Sequence, residues 1–317
     1  MSIDKKFIEK FINVTSKAAI ASFNFVGKKD KKAADKAAVD SMRKELNKID
    51  IQGKIVIGEG ELDEAPMLYI GEKVGTNKGL SLDIAVDPLE GTNFAANNLP
   101  GALSVIAVAE KNNLFNAPET YMNKIAIKNN SEKIVDLDFP LKKNISNLSE
   151  SLNKDKEELT VCLLDRPRHK KIIDELISMK VKLKLITDGD VSGSLLVSDD
   201  RFHVDMFIGI GGGPEGVLSA SALDTYNCFF QGRFIFDNEK DISRAKSMGI
   251  TDLNRKYALN EIVSGDSIFC ATGITTGDLV EGINVSNKKY HSYTLVTHKN
   301  SSLKKIVTNE YNIDLDK

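Results

Sequence analysis

From Thr160 to Phe236 the chain alternates short apolar runs with helix-period stretches. TVCLLD, KLKLIT, DMFIGI and GRFIF read as strands, and HKKIIDELISM, DVSGSLLV and PEGVLSASAL, which fall between them, read as helices. Strands apolar on both faces need cover on both, and a helix after each strand supplies it. The pattern therefore predicts an α/β layer of parallel strands. SIFCATGI and YHSYTLVTHK add late strands, and no repeat or low-complexity tract interrupts the scheme.

Upstream, Phe7, Ile8, Phe11, Ile12, Thr15, Ala18 and Ala19 keep a helical period, which predicts an amphipathic helix ending near Gly27. The basic run GKKDKK follows it. In the next helix Val39, Met42, Leu46 and Ile49 recur every three or four residues and form its buried face. Asp35, four residues before Val39, falls on that face. KIVI before Gly58, SLDIAV before Asp87 and ALSVIAVA read as strands. Between the first two, ELDEAPMLYIGEKVG reads as a helix closed by Gly75. Residues 128 to 159, rich in Asn, Lys, Ser and Glu, read as a connecting region, a helix or hairpin on the surface.

A chain of 317 residues, 41% apolar and 28% charged, can bury a sizeable core, and its length suggests two domains. The expected fold is α/β, an α+β layered sandwich of two α/β domains, 1–157 and 158–317. A net charge of −2 and a pI near 6.2 supply no basic field for nucleic acid. Cys162, Cys228 and Cys270 lie far apart, with neither disulfide nor zinc spacing. No apolar run approaches the ~20 residues of a membrane span, and the N-terminus lacks a signal-peptide core. A cytoplasmic protein, not membrane-bound, is expected.

In open α/β sheets ligands bind beyond the carboxyl ends of the strands. Glu59 follows KIVIG, Asp87 and Glu90 follow SLDIAV, Glu215 follows DMFIGIGGGP, and Asp35 opens a helix on its inward side. Oxygen donors without His or Cys point to a hard divalent cation, Mg2+ or Mn2+. Pro88 fixes the chain after Asp87, Gly91 permits close approach to a ligand, and Thr92 presents a hydroxyl beside the carboxylates. Taken singly, Asp35 reads first as a helix cap and Glu59 equally as a solvated loop residue. The Asp87 and Glu90 pair is harder to dismiss, because like charges so close call for a cation between them.

A rival reading exists. Gly211, Gly213 and Gly216 satisfy GxGxxG spacing between strand and helix, with Asp237 after the next strand, as in dinucleotide-binding sites. Pro214 removes a backbone N–H there, however, and Glu215 sets a negative charge where a pyrophosphate would sit. A nicotinamide-dependent oxidoreductase is accordingly the weaker alternative, beside a non-catalytic sugar-phosphate sensor.

DPLEGT resembles the Asp-Pro-Ile/Leu-Asp/Glu-Gly-Thr/Ser motif of the lithium-sensitive, metal-dependent sugar phosphatases. VIGEGELDEAPMLYIGE, PETYMNKIA, DRPRH, DGDVSGSL and GIGGGPEGVLSASAL, in that order, resemble the class II, bacterial-type fructose-1,6-bisphosphatases from about residue 10 to 298. The resemblance implies α-β-α-β-α layering and a cytoplasmic, gluconeogenic hydrolase of fructose 1,6-bisphosphate that releases the 1-phosphate. Sedoheptulose 1,7-bisphosphate is the alternative substrate, and a homo-oligomer, dimer or tetramer, is implied.

By the same resemblance Asp35 and Glu59 would hold one metal, and Asp87, Glu90 and Glu215 another. Thr92 would orient or relay the proton of the metal-activated water, with Asp63 as its acceptor. Glu90, Gly91, Thr92, Tyr121, Arg166, Pro167, Arg168, Asp188, Gly189, Asp190 and Gly212 would contact substrate. The residue chemistry agrees: the two arginines can fork onto a phosphate, and the aspartates can accept from sugar hydroxyls. Without the other motifs, DRPRH reads as a surface turn and the DGD aspartates equally as a turn with a helix cap. His169 reads as structural or solvent-facing.

Overall fold

The computed structural model describes residues 3–58, 68–129, 131 and 133–313. Glu59 and Asp63 therefore lie outside the described residues. The chain divides into two compact units, one made of residues 1–115 and 263–317 and the other of 116–262. The expected boundary at 157/158 is corrected by this division, because the late strands pair back onto the N-terminal sheet and make the first unit discontinuous.

In the first unit, α1 (Lys6–Phe23) and α2 (Lys31–Leu46) pack together against a sheet. Phe11, Ile12, Ala18 and Ala19 of α1 and Ala38, Met42 and Leu46 of α2 are fully buried, as their spacing requires. The first helix stops at Phe23, short of Gly27, whose left-handed φ of 76° turns the chain so that its N–H bonds Ala95 O at 2.9 Å. Asp30, and not Asp35, caps α2, accepting from Ala33 N at 2.9 Å.

The sheet begins with β1 (Ile51–Ile57), β2 (Lys73–Val74) and β3 (Leu80–Glu90), continues through the short α3 (Thr92–Ala96) and adds β4 (Leu103–Glu110). The helix expected up to Gly75 is absent from its described part, 68–75. There Gly71 N donates to Ile55 O and Ile55 N to Glu72 O, so the segment lies along β1 and ends as β2. Backbone pairing with a strand edge outcompetes the helical period.

The second unit carries β5 (Tyr121–Ile127), α4 (Leu141–Leu152), β6 (Thr160–Leu164), α5 (Lys170–Ser178), β7 (Lys182–Ile186) and α6 (Asp190–Leu195). Then come β8 (Met206–Gly212), α7 (Gly213–Tyr226), β9 (Phe229–Phe234), α8 (Glu239–Ser247), β10 (Tyr257–Ala258) and α9 (Leu259–Ile262). The sheet order is β10-β9-β5-β8-β6-β7. Only the β7–β6 and β6–β8 pairs are parallel, because β5 inserts antiparallel between β8 and β9. The α/β layer predicted from the alternation is present, but mixed.

The chain then returns to the first unit with β11 (Ser267–Gly273), β12 (Asn284–Ser286), β13 (Lys289–His298) and β14 (Leu303–Asn312). Its sheet reads β12-β13-β11-β4-β3-β1-β2, with β14 beside β13, and only β1 and β3 are parallel. A hydroxyl seam crosses from α1 to β11 and β13: Thr272 bonds both Thr15 and Thr294 at 2.7 Å, and Ser292 bonds Ser16 at 3.0 Å. Its buried hydroxyls are paired, which fixes the seating of the helix on the sheet at little desolvation cost. No described helix is long and apolar enough to cross a membrane.

Candidate active site

Each unit gathers its own set of candidate residues. In the first, β3 does not stop before the carboxylate pair, as expected, but runs through it. Asp87 faces Val105 and Glu90 faces Leu103, so three steps along β3 oppose two along β4, a bulge centred on Pro88 and Leu89. Proline fits there because it has no ladder N–H to give. Glu90 is 4% exposed and Asp87 half-buried. Gly91 takes φ 77°, ψ 46° and starts α3, and a Cβ on it would sit 2.9 Å from the Phe94 ring. Only glycine turns the chain here, and the turn sets Thr92, half-buried, beyond Glu90.

Asp35 lies half-buried on α2, which packs on both β3 and α3. Burial pushes its carboxyl above the usual range.

In the second unit, β5 and β8 pair Tyr121 with Gly212, and the loops after β6 and β7 converge beside them. Arg168 Nε donates to Ile210 O at 2.9 Å, and its guanidinium lies 4.8 Å from the Tyr121 ring centre. Arg166 approaches Asp188 at 3.7 Å. Pro167 starts the short 3-10 turn between the two arginines, and Gly189, at φ 84°, turns the chain into α6. His169, read as structural or solvent-facing, is fully buried: Nδ1–H donates to Leu164 O at 2.6 Å and Nε2 accepts from Ile210 N at 2.7 Å.

Glu215 stands in the first turn of α7, tucked against its own backbone. A Cβ on Gly212 would come 1.8 Å from Glu215 Oε2, so this glycine is the space the carboxylate occupies. Burial drives the Glu215 carboxyl up, Lys124 draws it down, and Asp190 and Asp188 push it up again. Asp190, 8% exposed, ion-pairs with Lys124, which also donates to Gly212 O at 2.7 Å. Sequence reasoning passed over Lys124. The signal was a lysine amid the apolar residues of YMNKIAI, where strand alternation favours an apolar side chain.

Among the described residues no three His, Cys, Asp or Glu side chains converge as a metal cage does, and Glu59 and Asp63 lie outside them. The donors nevertheless suit a hard cation chemically. They are oxygens alone, Glu90 is nearly sealed from water, and burial disfavours the charge of Asp35 and Glu215, which a divalent ion would restore.

Residues 5–311 match the family described as bacterial fructose-1,6-bisphosphatase, glpX-encoded. Fructose-1,6-bisphosphatase 1 class 2 of Escherichia coli is 42% identical over 95% of this chain and 94% of that protein. The D-fructose 1,6-bisphosphatase class 2/sedoheptulose 1,7-bisphosphatase of Microcystis aeruginosa is 39% identical over 97% and 96%. Among solved structures, an inositol monophosphatase from Anabaena superposes on 61% of this chain and 71% of its own at 12% identity, with a TM-score of 0.31, too loose to say more about the fold.

Proposed function

Because this chain belongs to the bacterial, class II fructose-1,6-bisphosphatase family, we propose that it hydrolyses the 1-phosphate of fructose 1,6-bisphosphate, giving fructose 6-phosphate and phosphate. The observation that carries the reading is the match over residues 5–311, which includes every motif that bears a candidate side chain. Sedoheptulose 1,7-bisphosphate is the second substrate, favoured by the dual name of the cyanobacterial relative.

Asp35, Glu59, Asp87, Glu90 and Glu215 are the metal-holding carboxylates of this reading, with Mg2+ or Mn2+ as the cation. When bound, the cation supplies charge neutralisation at the phosphoryl oxygens and acidifies water. The Thr92 hydroxyl orients the attacking water and passes its proton toward Asp63. Glu90, Gly91 and Thr92 face the phosphate to be cleaved.

Tyr121, Arg166, Pro167 and Arg168 grip the phosphate that stays, and binding at that unreactive end places the reacting one. The pinning of Arg168 by Ile210 O and the Tyr121 ring supports this role, since a fixed guanidinium loses little freedom on binding. Asp188, Gly189, Asp190 and Gly212 meet the sugar hydroxyls. A homo-oligomer, dimer or tetramer, working in the cytoplasm completes the reading.

The test is phosphate release from both bisphosphates, with Mg2+, Mn2+ or neither, alongside Glu215→Gln. Metal-dependent release from fructose 1,6-bisphosphate that Glu215→Gln abolishes is expected. Binding of the bisphosphate without release under either metal would instead favour the sensor.

A further inference from the structure

Lys124 stands in the middle of β5 with no exposed surface. A buried ammonium is costly unless partners replace the water it leaves. Lys124 has two: it ion-pairs with Asp190 Oδ2 and donates to Gly212 O at 2.7 Å. Its stem passes beneath the first turn of α7 at Gly216, where a Cβ would meet Met122 Sδ at 2.7 Å and Lys124 Cδ at 3.4 Å. One cation thus ties β5 to the start of α6, which carries Asp190, and to the β8–α7 junction, which carries Gly212 and Glu215.

Two further observations bear on its purpose. Asp190 Oδ1 is buried and has no hydrogen-bond partner among the described residues, an acceptor left with nothing to accept. Gly211 is bare where Asp190 lies against it, since a Cβ would come 2.0 Å from Oδ2. Well-packed apolar residues in place of a buried ion pair usually serve stability as well or better. The pair is therefore poorly explained by stability alone.

We propose that Lys124 is a positioning residue for substrate. It holds the Asp190 carboxylate and the Gly212 carbonyl in the one arrangement that leaves Asp190 Oδ1 to accept from a hydroxyl of the bound sugar phosphate. This inference rests on the sugar-bisphosphatase reading above and names a residue which that reading does not use.

The experiment compares full-length wild type, Lys124→Met and Lys124→Gln by calorimetric titration with fructose 6-phosphate, by KM and kcat for fructose 1,6-bisphosphate, and by thermal melting. Expected is at least tenfold weaker binding of fructose 6-phosphate, with KM rising in step and kcat falling less. Lys124→Gln covers the case in which Lys124→Met does not fold, because it keeps a donor for Gly212 O without the charge that Asp190 needs. Folded variants that bind fructose 6-phosphate within twofold of wild type overturn the proposal, whatever their melting temperature, and so does failure of both to fold. A wild type that neither binds fructose 6-phosphate nor releases phosphate overturns the bisphosphatase reading itself, and this inference with it.

Discussion

His169 Nε2 accepts the backbone N–H of Ile210 at 2.7 Å from inside a core where the ring is fully buried. A carbonyl can only accept and an amide N–H can only donate, so Leu164 O on one side and Ile210 N on the other require the neutral ring with its proton on Nδ1. Burial lowers the affinity of this ring for a second proton. Leu164 O counters that effect and Asp190 opposes it, whereas the Arg168 charge adds to it. The Ile210 N–H, which only an unprotonated Nε2 can accept, also resists the second proton.

The sign of the resulting pH dependence follows. The folded state binds the proton less well than the unfolded state, where histidine titrates near its ordinary value of 6.5. Stability is therefore greatest above 6.5 and declines as pH falls through 6.5 toward the depressed native value. The loss is at most ~1.4 kcal/mol per pH unit from this one group. Melting of wild type and His169→Phe from pH 7.5 to 5 should show a shallower slope for the variant. It should also show a lower plateau at neutral pH by ~1–3 kcal/mol, from the stranded Ile210 N–H. Parallel slopes would remove His169 as the titrating group.

Gly212→Ala separates stability from function. The backbone of Gly212, at φ −66°, suits alanine, and the atom a Cβ meets is the far end of the flexible Glu215 side chain. The fold should lose no more than ~1 kcal/mol. The carboxylate must leave its place, so phosphate release should fall a hundredfold or more. Near-normal release from a folded Gly212→Ala protein would show that Glu215 acts from some other position.

The legibility of this chain in its sequence follows its local periodicity. α1 and α2 are readable because Phe11 and Met42 belong to runs of helical period on faces that are indeed buried, and α5 and α7 because they fall between apolar strand runs. That the Asp87 and Glu90 pair falls toward the carboxyl end of a strand is readable too, but not that the strand bulges at Pro88 and runs on to Glu90. Pairing partners are not. β5 lies outside the strand–helix alternation, so its insertion between β8 and β9, and the burial of Lys124 that follows, depend on contacts distant in sequence. The return of β11 to β14 onto the first sheet is of the same kind, and it moved the domain boundary.

The polar stretch 128–159 reads in the sequence as a surface connection because its few apolar residues are diluted by Asn, Lys and Ser. In the structure α4 buries Ile145 and Leu148 in the core of the second unit, beside Ile125, Val161 and Leu176. Leu148→Ala should accordingly cost ~2–5 kcal/mol, as deletions of fully buried leucines do. Leu152→Ala, one turn on and only partly buried, should cost less. Denaturant unfolding of both measures the difference. Equal, small effects would return the segment to the surface.

Arg168 tests the grip on the distal phosphate. Its Nε is committed to Ile210 O and its plane to the Tyr121 ring, which leaves the terminal nitrogens for a ligand. Arg168→Ala should raise KM for fructose 1,6-bisphosphate at least thirtyfold and disturb a small phosphate monoester far less. Arg168→Lys should recover little of the loss, because an ammonium cannot make the Ile210 bond and also present a fork. Equal losses on both substrates would contradict the assignment.

Thr92 is held at the start of α3 by the left-handed turn at Gly91, with Phe94 packed under that turn. Its hydroxyl is the only part of the side chain the proposed chemistry uses, so Thr92→Ser and Thr92→Ala differ in one atom type. Thr92→Ser should keep turnover within about tenfold of wild type, whereas Thr92→Ala should lose 10²–10⁴-fold, the range expected of a group that assists proton transfer. Both should bind Mn2+ as wild type does in a calorimetric titration, since neither change touches a carboxylate. Lost Mn2+ binding in Thr92→Ala would make Thr92 a metal ligand instead, and normal turnover would remove it from the reaction.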